Sequence, residues 1–393
     1  MTDRIEPFHL SVPESDLADL RDRVARVRWP DRETVRDTSQ GPQLAKLRAL
    51  TERWRGEYDW RTCEAELNAL GQYRTTIDGL GIHFLHVRSP ERDALPLLLT
   101  HGWPGSILEF RKVIGPLTDP AAHGGDPRTA FHVVVPSMPG FGFSERPREP
   151  GWNIARVADA WIELMRRLGY DRWGAQGGDL GCAVTDTIAS RTPPGLVGLH
   201  LNFAMFPPLP DEIENATTDE QAMLDSAQFF WDQLSGYARV QSTRPQTIGY
   251  ALADSPVGLA AWIYAMFQDT CGTPGDAEGS LSQDEMLDDI TLYWLTNTAA
   301  SSARLYWEMV RSGRPSPASP ATPITLPTGF TMFPEEHVRK SRRWLERRYS
   351  NVIFFNQPER GGHFGALEQP LQFVDDVRAT FATIRADDHP GRP

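Results

Sequence analysis

The chain has 393 residues, 40% hydrophobic and 23% charged, with a formal net charge of −12 at pH 7. That length can bury a large core, as one domain with insertions or as two. The negative balance, with no basic stripe to offset it, excludes a nucleic-acid or anionic-membrane surface. No apolar run approaches a membrane span, and residues 1–6 lack the basic and apolar parts of a secretory leader. Cys63, Cys182 and Cys271 are too scattered for a disulfide framework or a metal knuckle. The expectation is a cytoplasmic protein with no membrane anchor and no metal.

In chain order, residues 13–28 pattern as an amphipathic helix, with Leu17, Leu20, Val24 and Val27 at helical spacing, Ser15 as cap and Pro30 as stop. A second helical stretch is expected over about residues 43–70, where Trp54, Tyr58 and Trp60 read as packing residues. From Tyr73 the period changes to two, and residues 75–87 read as a hairpin. On its second strand His83 and His86 face opposite sides and cannot share a metal. Residues 95–100 and 132–135 read as buried strands, running into the Gly- and Pro-containing loops 101–106 and 136–144.

Further strands are expected at 171–176, 196–201, 324–333 and 352–355. Helical segments such as 154–168 alternate with them, which implies a largely parallel sheet. The interval 206–320 breaks that rhythm: it is mostly helical, rich in aromatics and bordered by proline clusters, as an inserted cap would be. The expected organisation is an N-terminal helical extension running into the first strands (1–93), a first part of an α/β core (94–205), a helical cap (206–320) and the rest of the core (321–393), frayed after 387. There is no internal repeat, no Walker A run and no Gly-x-Gly-x-x-Gly, so no cofactor is expected.

The chemistry concentrates in residues 171–184, where a short extended segment ends in small residues and a helical pattern follows. That is the strand-to-helix turn of the α/β-hydrolase nucleophile elbow, with Asp179 at the apex and Gly177 and Gly181 on either side. A carboxylate there would attack carbon and form an ester, hydrolysed afterwards. Gly124-Gly125-Asp126 repeats the tripeptide in a setting that reads as a plain turn. Beyond the last core strand His363 lies in the glycine-rich loop 360–365, in the chain position of a base, and Glu335 or Glu336 on the preceding loop could orient it. Trp103 and Leu180 would supply backbone N–H groups to an oxyanion. An epoxide also needs an acid for its ring oxygen; Tyr237 and Tyr306 in the cap are candidates, while Tyr250, Tyr264 and Tyr293 read as core or surface. A haloalkane dehalogenase would use the same nucleophile but follow it with a Trp that binds halide, and Leu180 cannot donate from its side chain. No Gly-x-Ser-x-Gly is present for an esterase. A binding protein on the same fold, without turnover, is the other alternative.

Taken together these motifs resemble the microsomal-type epoxide hydrolase family over essentially the whole length. Val12-Pro13, Arg28-Trp29-Pro30-Asp31, the 101–106 and 136–144 loops, Gln176-Gly177-Gly178-Asp179, Pro327-Thr328-Gly329-Phe330 and Gly361-Gly362-His363-Phe364 carry the resemblance. It implies an α/β-hydrolase fold, Asp179 as nucleophile, Tyr237 and Tyr306 as ring-opening acids, His363 as base and Glu336 as its acidic partner. The pocket would be lined by Trp103, Phe141 and Leu180, with a small-molecule epoxide and water as reactants and a homodimer left open. Two departures stand out: the membrane-anchoring helix of the animal members is absent, and Leu180 replaces the family's usual Trp.

Overall fold

The computed structural model describes residues 4–313 and 322–387. Its strands are β1 (Glu6–Pro7), β2 (Gln72–Ile77), β3 (Leu80–Val87), β4 (Leu95–Thr100), β5 (Phe131–Pro136), β6 (Trp173–Gly177), β7 (Leu196–Leu201), β8 (Thr328–Thr331) and β9 (Val352–Asn356). They form a single sheet in the order β1-β2-β3-β5-β4-β6-β7-β8-β9. Pairing is antiparallel from β1 through β3 to β5 and parallel from β5 onward. Every residue of β4 is buried, because helices cover both faces of the sheet; such strands read as unbroken apolar runs.

Helices α1 (Glu14–Ala25), α2 (Leu44–Gly56) and α3 (Trp60–Ala69) precede the hairpin, and α4 (Arg111–Thr118), α5 (Ile154–Arg167) and α6 (Asp179–Ser190) join the core strands. Between β7 and β8 lie α7 (Pro210–Glu214), α8 (Thr218–Phe229), α9 (Gly236–Thr243), α10 (Pro245–Asp254), α11 (Pro256–Thr270), α12 (Gln283–Thr296) and α13 (Ala299–Arg311). The chain closes with α14 (Arg342–Arg348), α15 (Gly365–Glu368) and α16 (Pro370–Asp387). Val157, Trp161, Val184 and Ile188 of α5 and α6 belong to one apolar core, and Val113, Leu117, Phe373 and Phe381 of α4 and α16 to the other. The expected α/β-hydrolase class, with a mostly parallel sheet, is what the chain adopts.

Three local expectations change. Pro13, not Ser15, stands at the cap of α1, and no side chain caps it. The expected helix 43–70 is two helices: α2 ends at Gly56, and Asp59 starts α3 by accepting the Arg61 N–H. The expected strand 324–333 contracts to β8, with Ile324 making only an isolated bridge to Tyr349, because Pro327 between them has no N–H to give a ladder. Most of the proline run 315–323, and all but the first residue of the tail 387–393, lie outside the described residues.

The N-terminal helices pack on the insertion between β7 and β8. Trp54 Nε1 donates to Thr291 Oγ1 at 2.9 Å, Tyr58 donates to Asp288 at 2.7 Å, and Arg53 makes two 2.6 Å bonds to Asp284. Arg111 of α4 also pairs with Asp288, so extension, core and insertion meet on one helix, α12.

Candidate active site

β6 ends at Gly177 and α6 begins at Asp179, so the chain reverses over a single residue. Asp179 has φ of +44°, a left-handed conformation that costs a non-glycine residue about 1–3 kcal/mol and marks functional turns. The neighbouring glycines have steric reasons. A Cβ on Gly177 would lie 2.3 Å from the Gly181 carbonyl oxygen, one on Gly181 would lie 1.9 Å from that of Thr100, and one on Gly102 would lie 2.2 Å from Asp179 Oδ1. Asp126 merely accepts the Arg128 N–H in an exposed turn, so the two Gly-Gly-Asp runs are structurally unlike.

A line of three side chains runs from this apex. Asp179 Oδ1 accepts the Trp103 N–H at 2.8 Å, and the Leu180 N–H lies near enough to favour the ionised carboxyl. Oδ2 lies 3.5 Å from His363 Nε2. His363 Nδ1 lies 2.6 Å from Glu336 Oε2, whose other oxygen accepts the Val338 N–H at 3.0 Å. Glu336, rather than Glu335, is therefore the carboxylate that reaches the ring. The His363 N–H is tied to the Thr270 carbonyl at 2.8 Å, and its imidazole sits edge-on to Phe203 and Phe364.

Burial and charge compete in this line. Burial alone would hold the His363 pKa down, but Glu336, Asp179 and Glu109 outweigh it and lift the imidazole to about 10. Burial would raise Glu336, and the adjacent imidazolium holds it below the usual carboxylate range instead. For Asp179 burial prevails over His363 and the two N–H donors, and its pKa is raised. The imidazole is thus held in its protonated form beside the Glu336 carboxylate.

Above it, the Tyr237 ring stacks on Trp103 with centroids 4.9 Å apart at 16°, and Tyr306 meets both Trp103 and Tyr237 edge-on at 6.0 Å. The two phenol groups lie near enough for each to shift the other's ionisation. Burial first, with the field of Asp179 among the further causes, pushes both phenols well above their ordinary pKa, so both keep their protons. Phe141 is buried against His101 and Tyr293, and Leu180 is buried in the core. Among the described residues no group of three His, Cys, Asp or Glu side chains is arranged to hold a metal.

Residues 5–110 match the family described as the epoxide hydrolase N terminus, and residues 96–240 match the alpha/beta hydrolase fold. A putative epoxide hydrolase of Stigmatella aurantiaca is 55% identical over 97% of this chain and 86% of its own length. Epoxide hydrolase 1 of Sus scrofa is 36% identical over 95% of this chain and 88% of its own. The solved epoxide hydrolase of Aspergillus niger is 31% identical and superposes with a TM-score of 0.86 over 97% of both chains. The chain belongs to the epoxide hydrolase family. In this epoxide hydrolase the N-terminal family match extends past the helices through β1–β4 to Trp103, so it includes one N–H donor of the site. No helix of the described residues is long and apolar enough to cross a membrane.

The hydrolase also holds charged groups beside its site that sequence reasoning passed over. Glu109 lies against the Gly105 backbone, where burial raises it to about 8; an acid isolated in the apolar run Ile107-Leu108-Glu109-Phe110 was the available signal. Asp289 and Tyr293 of α12 fasten the Trp103 loop. Ser106 Oγ donates to Asp289 at 2.7 Å, and the Tyr293 hydroxyl donates to the Gly105 carbonyl at 2.9 Å. Lys340 is buried near Glu336, and burial lowers it to about 8. Nothing local in the sequence marks these contacts.

Proposed function

We propose that this epoxide hydrolase works in two covalent steps. Asp179 Oδ2 attacks one epoxide carbon from the side opposite the ring oxygen and the C–O bond breaks. Tyr237 and Tyr306 hydrogen-bond that oxygen and deliver a proton to it. A glycol ester of Asp179 results. His363 then takes a proton from water, and the hydroxide attacks the ester carbonyl carbon. Oδ1 carries the tetrahedral negative charge, where the Trp103 N–H already donates, with the Leu180 N–H as the second donor. Collapse breaks the bond to Oδ2, which takes the proton back from His363 and leaves with the diol; the water oxygen stays on Asp179, whose carboxyl proton passes to His363 and restores the resting site.

The order of steps follows from charge. Glu336 first, and then ionised Asp179, hold His363 protonated in the resting site, where it cannot act as a base. Esterification removes the Asp179 charge and lowers the imidazole pKa, so Nε2 passes its proton to the tyrosinate left by ring opening and is then free to accept one from water. The observation that carries the reading is the continuous chain from Asp179 Oδ2 through His363 to Glu336, with gaps of 3.5 and 2.6 Å. The stacked Trp103 and the two tyrosines suit an apolar, aryl-bearing epoxide.

A single turnover in heavy-oxygen water, with enzyme in excess, tests the reading. The label should enter the Asp179 carboxylate and be absent from the first diol. Label in the first diol would mean direct attack by water and would refute the ester.

A further inference from the structure

Where the loop after Phe141 meets α12 and α13, the surface opens into a cleft of about 1220 Å³ whose walls include none of the residues grouped around Asp179. Arg74, Arg146, Arg148, Arg156 and Arg304 line it, against Asp78, Glu145 and Glu149. Two of those acids are engaged: Asp78 pairs with Arg156 at 2.6 Å, and Glu145 accepts the Gly81 N–H at 2.8 Å. Arg74 and Arg146 donate to the carbonyls of Phe143 and Asn297, which satisfy hydrogen bonds but carry no charge. Among the described residues Arg148 and Arg304 have neither an acceptor nor an ion pair.

Arg304 is the telling one. It is half-buried, and both its burial and the charge of Arg146 work against its protonated form. A guanidinium has five donors and cannot avoid its charge, so leaving it partly desolvated beside another arginine is costly unless an anion completes the site. That such a cluster persists in a chain of net charge −12 strengthens the case. Arg304 stands two residues before Tyr306 on α13, about 200° around the helix, so it faces away from the tyrosine pair. Phe8, Leu80, Phe143 and Trp152 give the cleft apolar walls, and its size suits an organic molecule better than a bare ion.

We propose that this cleft binds a small organic anion, a phosphate monoester or a carboxylate on an apolar body, with Arg304 and Arg148 as its principal donors. The bound anion would bridge the core loop 142–149 to α13 and so pin the helix that carries Tyr306. The inference is independent of the ester mechanism.

Calorimetric titration of the full chain with phenyl phosphate, benzoate and neutral phenol, at constant ionic strength, tests it. Binding of one anion per chain is expected, with phenol giving none. Arg304→Gln and Arg148→Gln should each weaken binding at least about tenfold, since each removes charge-assisted bonds. Asp179→Asn should leave the affinity unchanged, placing the ligand outside the catalytic pocket. Arg148 is exposed, so its variant reports even if Arg304→Gln folds poorly. The proposal is overturned if neither anion binds at concentrations up to about 10 mM, if both arginine variants bind as wild type does, or if Asp179→Asn abolishes binding.

Discussion

Replacing His363 by Gln separates the two chemical steps, because they ask different things of the site. Alkylation needs an ionised Asp179, and the Trp103 N–H at 2.8 Å and the Leu180 N–H remain to support it. Hydrolysis needs a proton acceptor where His363 Nε2 lies, 3.5 Å from Oδ2, and glutamine cannot accept and hold a proton there. General-base catalysis contributes about 10²–10⁴-fold, so turnover should fall by about that factor while one adduct per chain builds up. The substitution also removes the imidazolium that counters burial at Asp179, so the carboxyl pKa rises further. Adduct formation in the variant should therefore be slower at mildly acid pH than at alkaline pH. Intact-protein mass after mixing with styrene oxide reads both effects, as the fraction of chain heavier by one epoxide over time. A folded His363→Gln protein that shows no adduct at any pH, or that turns over within about tenfold of wild type, would refute the two-step scheme.

Other outcomes are expected from the same geometry. Asp179→Asn should form no adduct and no diol, read by the same mass measurement. Tyr306→Phe should slow alkylation about 10²-fold, and the double variant with Tyr237→Phe should lose far more than either alone, because the hydroxyls share one oxygen; rapid-mixing single turnovers would show it. His363 is lifted from 6.5 to about 10 in the folded chain, so its contribution to stability is complete below about pH 6.5 and fades as pH rises through 10. The melting temperature of wild type should thus fall more steeply than that of His363→Gln between neutrality and alkaline pH. Gly181→Ala should destabilise the fold by about 3 kcal/mol in urea unfolding, the upper end of the usual overpacking cost, because its Cβ would press on the Thr100 carbonyl, which is backbone and cannot move aside.

The sheet was legible because its central strands are buried on both faces and so appear as short apolar runs such as Leu95 to Thr100. The apex was legible because the tight turn around Asp179 leaves no room for a Cβ on Gly177 or Gly181, and steric need leaves a mark in sequence. The break between α2 and α3 was not, since Gly56 to Asp59 contains no proline and both flanks keep helical spacing. The bonds from α12 to the Trp103 loop were invisible for another reason. Ser106 and Asp289 are 183 residues apart, and no local pattern encodes a contact of that span. Glu335 and Glu336 were equivalent by residue type; the resemblance favoured Glu336, and the path of the loop brings that carboxylate to His363.

The clasp between the N-terminal helices and α12 also sets a timetable for synthesis. Trp54 finds its partner Thr291 only after 237 further residues have been made, and Arg53 waits 231 for Asp284. At about 5–20 residues per second that delay is roughly 10–50 s. Throughout it, the apolar face of α2, with Leu47, Leu50 and Trp54, has no insertion to bury against. The first-made part of this chain is thus among the last to settle, and slowing or truncating translation before residue 291 should leave it a target for chaperones and proteases.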